Sequence, residues 1–167
     1  MNRFMGLLLF AATGFSAIAQ EMPPVTPAVN PLTAAMGALG AGQIQAAEVQ
    51  LESINDPAAR FFVQACIERA KGEFKRAVQA VGELIVQYPN APEWTAKGEL
   101  LSVMLYIDLG MLDCADATAR QMELFYEGTA VATQASSLRS SIEKMKEKVE
   151  SKSLASHKRL SEDAPLA

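Results

Sequence analysis

Gly72 and Gly110 lie 38 residues apart, and each separates two stretches whose apolar residues recur at steps of three and four. Ahead of the first glycine the chain reads as a helix over about 57–71. Behind it, Phe74, Ala77, Val81, Leu84 and Tyr88 fall on one stripe of a helix over about 73–88. Around the second glycine the alternation returns. The segment 92–109 is apolar on most sides, through Leu100, Leu101, Val103, Met104, Leu105, Tyr106 and Ile107, and 111–127 is one-sided, through Leu112, Ala115, Ala119, Met122 and Tyr126. A turn built on one glycine leaves a helix no course but back along its predecessor, so the chain is predicted to be a series of antiparallel helical hairpins.

Proline marks where these helices begin. Asn30 precedes Pro31, Asp56 precedes Pro57, and Asn90 stands two residues before Pro92. In each case a side-chain oxygen is expected to cap the first turn, where the missing proline N–H costs nothing. A weaker hairpin is expected over 31–54, turning near Gly40 to Gly42, with Ala46, Ala47, Val49, Leu51 and Ile54 on its second helix. After the natural stop at Gly128, Thr129 is the expected N-cap of a last helix over 129–152. Its stripe of Val131, Ala135, Leu138, Ile142, Met145 and Val149 has heptad spacing. That stripe lasts under three heptads, so the helix is read as a cap on the hairpins, with self-association through it as the alternative. The polar residues 153–167 are expected to form a frayed tail.

The residue vocabulary agrees with an all-α fold. Ala, Leu, Met, Glu, Lys and Gln abound and β-branched runs are few. A chain of 167 residues, half of them hydrophobic, supports one domain with a substantial core. The net charge of -4 is mild and basic residues are interspersed with acidic ones, which argues against a nucleic-acid partner. The first 19 residues have the form of an export signal: a short positive start at Asn2 and Arg3, an apolar run from Phe4 to Phe15, and the small-x-small sequence Ala17-Ile18-Ala19 before a predicted cut at Gln20. The apolar run is shorter than a membrane span, and no cysteine follows the cut to carry a lipid. Location in the periplasm or another extracytoplasmic space is expected. Residues 20–30, QEMPPVTPAVN, read as an extended Pro-rich leader. An oxidising compartment permits Cys66 and Cys114 to pair, although both sit in helical, apolar surroundings that equally suit free buried thiols.

The stretch from Phe61 to Ala65, then Gly72, Phe74, Ala77 and Tyr88-Pro89-Asn90, resembles one unit of the tetratricopeptide repeat (TPR) family. A second unit is looser: Tyr106, Gly110, Leu112 and Ala115 stand at matching places, but Glu127-Gly128 replaces the closing proline. Gln64 and Glu68 also depart from the family pattern, which has leucine and tyrosine there. The likeness covers about residues 57–127 and is similar to that of TPR-like proteins of bacterial envelopes. It implies a short right-handed α-solenoid that binds another protein or peptide in its concave groove. The resemblance places Phe62, Cys66, Arg69, Lys97, Leu100, Met104 and Ile107 in that groove, where a bound segment's carboxylates would meet Arg69 and Lys97. The alternative is that the last helix covers these side chains and makes them core.

No enzymatic constellation is expected. The only histidine, His157, lies in the polar tail, so a histidine-based catalytic or metal site has no firm footing. Cys66 and Cys114 have no paired-ligand spacing. Gly37, Gly40 and Gly42 lack the preceding strand and following GK[ST] of a phosphate loop. Asp113 and Asp116 read as favourable charges at a helix start, and the alternating charges of 143–152 as a solvated face with Glu143–Lys146 and Lys144–Glu147 pairs. No cofactor or metal is expected.

Overall fold

The chain is described by a computed structural model over residues 30–162, with side chains to residue 152. The expected export signal and nearly all of the Pro-rich leader lie outside the described residues, as do residues 163–167. Within them the chain is all-helical: α1 (Pro31–Gly40), α2 (Ile44–Leu51), α3 (Pro57–Ala70), α4 (Phe74–Gln87), α5 (Pro92–Asp108), α6 (Leu112–Phe125) and α7 (Ala130–Glu162), with no strand among the described residues.

Three of the connections are built alike. At Gly42, Gly72 and Gly110 the backbone takes φ of 71°, 79° and 72°, left-handed values that glycine adopts without a Cβ penalty. The amide of each following residue reaches back five places, Gln43 to Ala38, Glu73 to Glu68 and Met111 to Tyr106, at 2.8, 2.9 and 2.8 Å. Each glycine amide reaches back three, to Leu39, Arg69 and Ile107, at 3.0, 3.0 and 2.9 Å. This pair of bonds satisfies carbonyls that the helix end would orphan and turns the chain into the next helix. The packing repeats with the turns. Seven residues before each glycine is a fully buried small or branched side chain, Ala35, Ala65 or Val103, and five residues after it a fully buried alanine, Ala47, Ala77 or Ala115. These positions let paired helices approach closely, α1 on α2, α3 on α4 and α5 on α6.

The helix starts match the proline signals, with one difference. Asn30 and Asp56 each accept from an amide two residues on, Leu32 or Ala58, at 3.0 Å. Asn90 caps nothing: Ala91 is the N-cap of α5, because Tyr88 to Ala91 closes a turn that holds Asn90 one residue too early. Thr129 caps α7 as expected, accepting from the Ala132 amide at 3.3 Å. The last helix does not end at 152 but runs to Glu162; no proline or glycine stands between Gly128 and Pro165 to stop it.

Three core clusters follow one another along the chain. Ala35, Ala47, Ile54, Ala59, Val63 and Ile67 join α1, α2 and α3. Ala65, Ala77, Val81, Leu101 and Leu105 join α3, α4 and α5. Val103, Ala115, Ala119, Met122, Ala135 and Ile142 join α5, α6 and α7. Phe62 packs against both of the first two. Each odd-numbered helix also touches the next odd one, α1 with α3, α3 with α5 and α5 with α7. Ion pairs fix α7 against α6: Arg139 meets Asp116 at 3.2 Å and Glu123 at 2.9 Å, and Lys146 meets Asp113 at 2.8 Å and Asp116 at 3.4 Å. Hydrogen bonding to these carboxylates holds the Arg139 and Lys146 protons more tightly than usual. Asp113 and Asp116 are therefore more than helix-start charges, and Lys146 turns to them where the sequence suggested Glu143.

Candidate functional site

Along the edge where α1, α3 and α5 meet, two clefts adjoin. The larger, about 620 Å³, is lined by Met36 and Leu39 of α1, Cys66 and Arg69 of α3, and Met104 and Asp108 of α5. The smaller, about 280 Å³, has Leu32 of α1, Trp94, Lys97 and Leu100 of α5, and Gln134 of α7. Met36, Phe62 and Met104 belong to both, so the two form one groove.

Six of the seven side chains expected in the groove line it: Phe62, Cys66, Arg69, Lys97, Leu100 and Met104. Ile107 does not. It turns toward the Val103–Ala115–Ile142 cluster, and Leu100 packs there as well as edging the smaller cleft. The two sequence alternatives, open groove or core, thus apply to different parts of α5. Toward α3 the groove is open, and toward α7 the side chains are packed.

The cations of the groove are already engaged. Arg69 Nε donates to Asp108 Oδ2 at 2.6 Å, and its Nη1 approaches Met104 Sδ at 3.7 Å. Lys97 Nζ donates to Glu93 Oε1 at 2.7 Å and stands 4.3 Å over the Trp94 ring. Each cation thus already has one carboxylate partner at the groove, and a bound carboxylate would share it with Asp108 or Glu93. The walls favour apolar contact. Phe62 and Trp94 lie 5.7 Å apart with their rings tilted 40°, and Trp94 Nε1 is satisfied by Asp56 Oδ2 at 2.8 Å, so the indole is already packed by Phe62 and capped by Lys97. Burial pushes the Cys66 thiol up to about 11, with Arg69 pulling it partly back, so at neutral pH this sulfur is a protonated, apolar part of the wall. Cys66 and Cys114 are both free.

Met36, Leu39, Trp94 and Asp108 were absent from the sequence-derived groove. The signal for Asp108 was present: Arg69 and Asp108 stand three and two residues before the turn glycines Gly72 and Gly110, which brings opposite charges to the same level of neighbouring helices. Met36 was obscured because the first hairpin has the least regular apolar spacing. Among the described residues no group of three or more His, Cys, Asp or Glu is placed to hold a metal ion, and no helix is long and apolar enough to cross a membrane. Comparison with family models, with curated proteins and with solved structures returned no match to this chain.

Proposed function

We propose that this chain is an exported TPR-like interaction module that serves as a scaffold, adaptor or assembly factor in the periplasm or an equivalent space. On this reading the hairpins 31–54, 57–88 and 92–127 stack as a short right-handed α-solenoid, and α7 stands as the first helix of a fourth unit that never turns. The contacts between successive odd helices support it, as does Ala135. That alanine is buried as Ala35, Ala65 and Val103 are, with Ile142 seven residues on where each of those has its glycine. The single observation that carries the functional part is the open groove whose charges are internally neutralised. A surface of Met, Phe and Trp side chains with no free charge suits an uncharged or apolar segment of a partner protein.

A photo-crosslinking residue at Met36, in the groove, should capture a discrete partner in the native host. The same residue at Val86, exposed on α4, should not. Met104→Glu should abolish the Met36 adduct, and equal capture at both sites would remove the groove from the reading.

One observation favours a second reading, self-association through α7. Met145 and Val149 continue the apolar stripe but are 37% and 60% exposed. Removing the chain after Gly128 would strip Ala135 and Ile142 from the core, so the cleaner test is Met145→Lys with Val149→Lys. An interaction module keeps its sedimentation coefficient, whereas a fall from dimer to monomer would establish the second reading.

A further inference from the structure

We propose that the hairpin 31–51 is a hinged wall of the groove: it opens as one unit while α3 to α7 stay folded, and the cleft is dismantled and rebuilt with it. What the opening serves rests on the groove being the docking surface; the opening itself does not.

Little holds the hairpin to the rest of the fold. α1 and α2 bury one alanine each, Ala35 and Ala47, whereas α4 buries Ala77, Ala80, Val81 and Leu84, and α6 buries Ala115, Ala119 and Met122. Of the later helices only α3 lies against them. Among the described residues one ion pair joins the hairpin to the rest, Lys71 Nζ to Glu48 Oε1 at 2.6 Å, with side chains 32% and 41% exposed. A pair so open to solvent contributes little. Neither helix is long enough to persist alone: α1 has 10 residues and α2 has 8, and isolated helices below about 12 are marginal in water. Once off α3, the two unfold together.

Two glycines weaken α1 further, and nothing in the closed form calls for them. Gly37 and Gly40 lie within the helix, and no atom comes within 4 Å of where a methyl would stand on either. Relative to alanine, each shifts the equilibrium toward the open form about threefold. The weakness therefore falls in the helix that supplies Leu32, Met36 and Leu39 to the groove.

The opening has an inner boundary. Arg60 donates to the carbonyl of buried Ile54 through Nη2 at 2.8 Å and Nε at 3.2 Å. Asp56 caps α3 and accepts from Trp94 Nε1 of α5 at 2.8 Å. These contacts hold 54–60 in place, so the bend falls at Glu52 and Ser53. On the groove reading, a segment seated against Met36 binds only the closed form and holds the wall shut.

Native-state hydrogen exchange, resolved amide by amide on the chain without its expected export signal, tests this. Amides of α1 and α2 should share one opening equilibrium, about a hundredfold more open than that of α5. Ile142→Val, in the distant core, should speed exchange in α5 and α6 about fivefold and leave α1 and α2 unchanged, because opening the hairpin does not break that core. Glu48→Gln should speed α1 and α2 about twofold. Two results would overturn the proposal. One is α1 and α2 speeding together with α5 in Ile142→Val, which means that they exchange only when the whole chain unfolds. The other is a rate that falls off along α1 from Asn30 while α2 is as protected as α4, which means that the end frays and no unit opens. Partner capture at Met36 plays no part in this measurement, so the groove reading can fail while the hinged wall stands, and the reverse.

Discussion

The two flanks of α5 are built by the same relation, an odd-numbered helix against the next odd one, yet one is open and the other is sealed. Toward α3, long side chains of Met36, Phe62 and Met104 stand around a cleft, and one ion pair, Arg69 to Asp108, spans the two helices. Toward α7, Leu100 and Ile107 pack with Val131 and Leu138 over Val103, Ala135 and Ile142. Arg139 and Lys146 then tie α7 to three carboxylates of α6, Asp113, Asp116 and Glu123. Contact between successive odd-numbered helices therefore does not decide whether a groove exists. That is decided by what stands beside α5. On one side Met36, Phe62 and Met104 stand around an open cleft, and on the other a helix with a small residue at 135 and an isoleucine at 142 fills the space.

Cutting one anchor on each flank should break the comparison first if it is wrong. Ile142 is fully buried among Met122, Ala119 and Val103, so Ile142→Ala should lower the unfolding free energy by about 3 kcal/mol, the range for deleting a large aliphatic side chain from a packed core. Met104 is half-buried beside an open cleft, and Met104→Ala should cost about 1 kcal/mol because it leaves little new cavity. Urea denaturation followed by circular dichroism measures both. Similar losses for the two would mean that the α3 flank is packed as tightly as the α7 flank.

The floor of the open flank is sharpened by Cys66. Its folded thiol titrates near 11, above the ordinary value near 9, because burial disfavours the thiolate. The sign follows: the folded state holds this proton more tightly than the unfolded state, so its stabilising contribution is fully present below about 9 and is lost as pH rises through about 11. Relative to Cys66→Ala, the wild-type chain should therefore lose about 2 kcal/mol between these limits, with no differential change between pH 6 and 8. At pH 8 a thiol reagent should label the exposed Cys114 faster than the half-buried Cys66, whose thiolate is scarcer. Equal labelling rates would show that the folded protein does not hold the Cys66 proton.

How much of this is legible in the sequence follows from the range of the physics involved. Helix starts and turns depend on a few neighbouring residues, so Pro31, Pro57, Pro92, Gly72 and Gly110 announce them correctly. The failure at Asn90 is equally local, since one turn residue displaces the cap to Ala91. The residues of α3 and α5 at the groove are placed there by the resemblance to TPR units and not by any local signal. The pairing of Arg69 with Asp108 and the turning of Ile107 toward α7 depend on how helices distant in sequence align, and composition and period carry no direct record of that. The sequence understates the length of α7 because the polar residues after Lys152 look like a tail, although polar residues propagate a helix well enough when no breaker intervenes.

The smallest effects should come from single methyl groups at glycines, and their signs should differ between turn and helix. Gly72 has φ of 79°, where an added Cβ is strained whatever the surrounding space, so Gly72→Ala should destabilise by about 1 kcal/mol. Gly37 lies inside α1 at an ordinary helical φ, and no atom comes within 4 Å of where an added methyl would stand. Gly37→Ala should therefore stabilise by about 0.5 to 1 kcal/mol through helix propensity. Thermal melts of the two variants give the comparison directly. Because Met36 and Leu39 bracket Gly37 on the helix that forms the outer wall of the groove, stiffening α1 should also leave the groove intact. A Gly37→Ala chain that is more stable but no longer captures a partner at Met36 would show that the open flank depends on α1 yielding, which the sealed flank, held by Arg139 and Lys146, has no counterpart for.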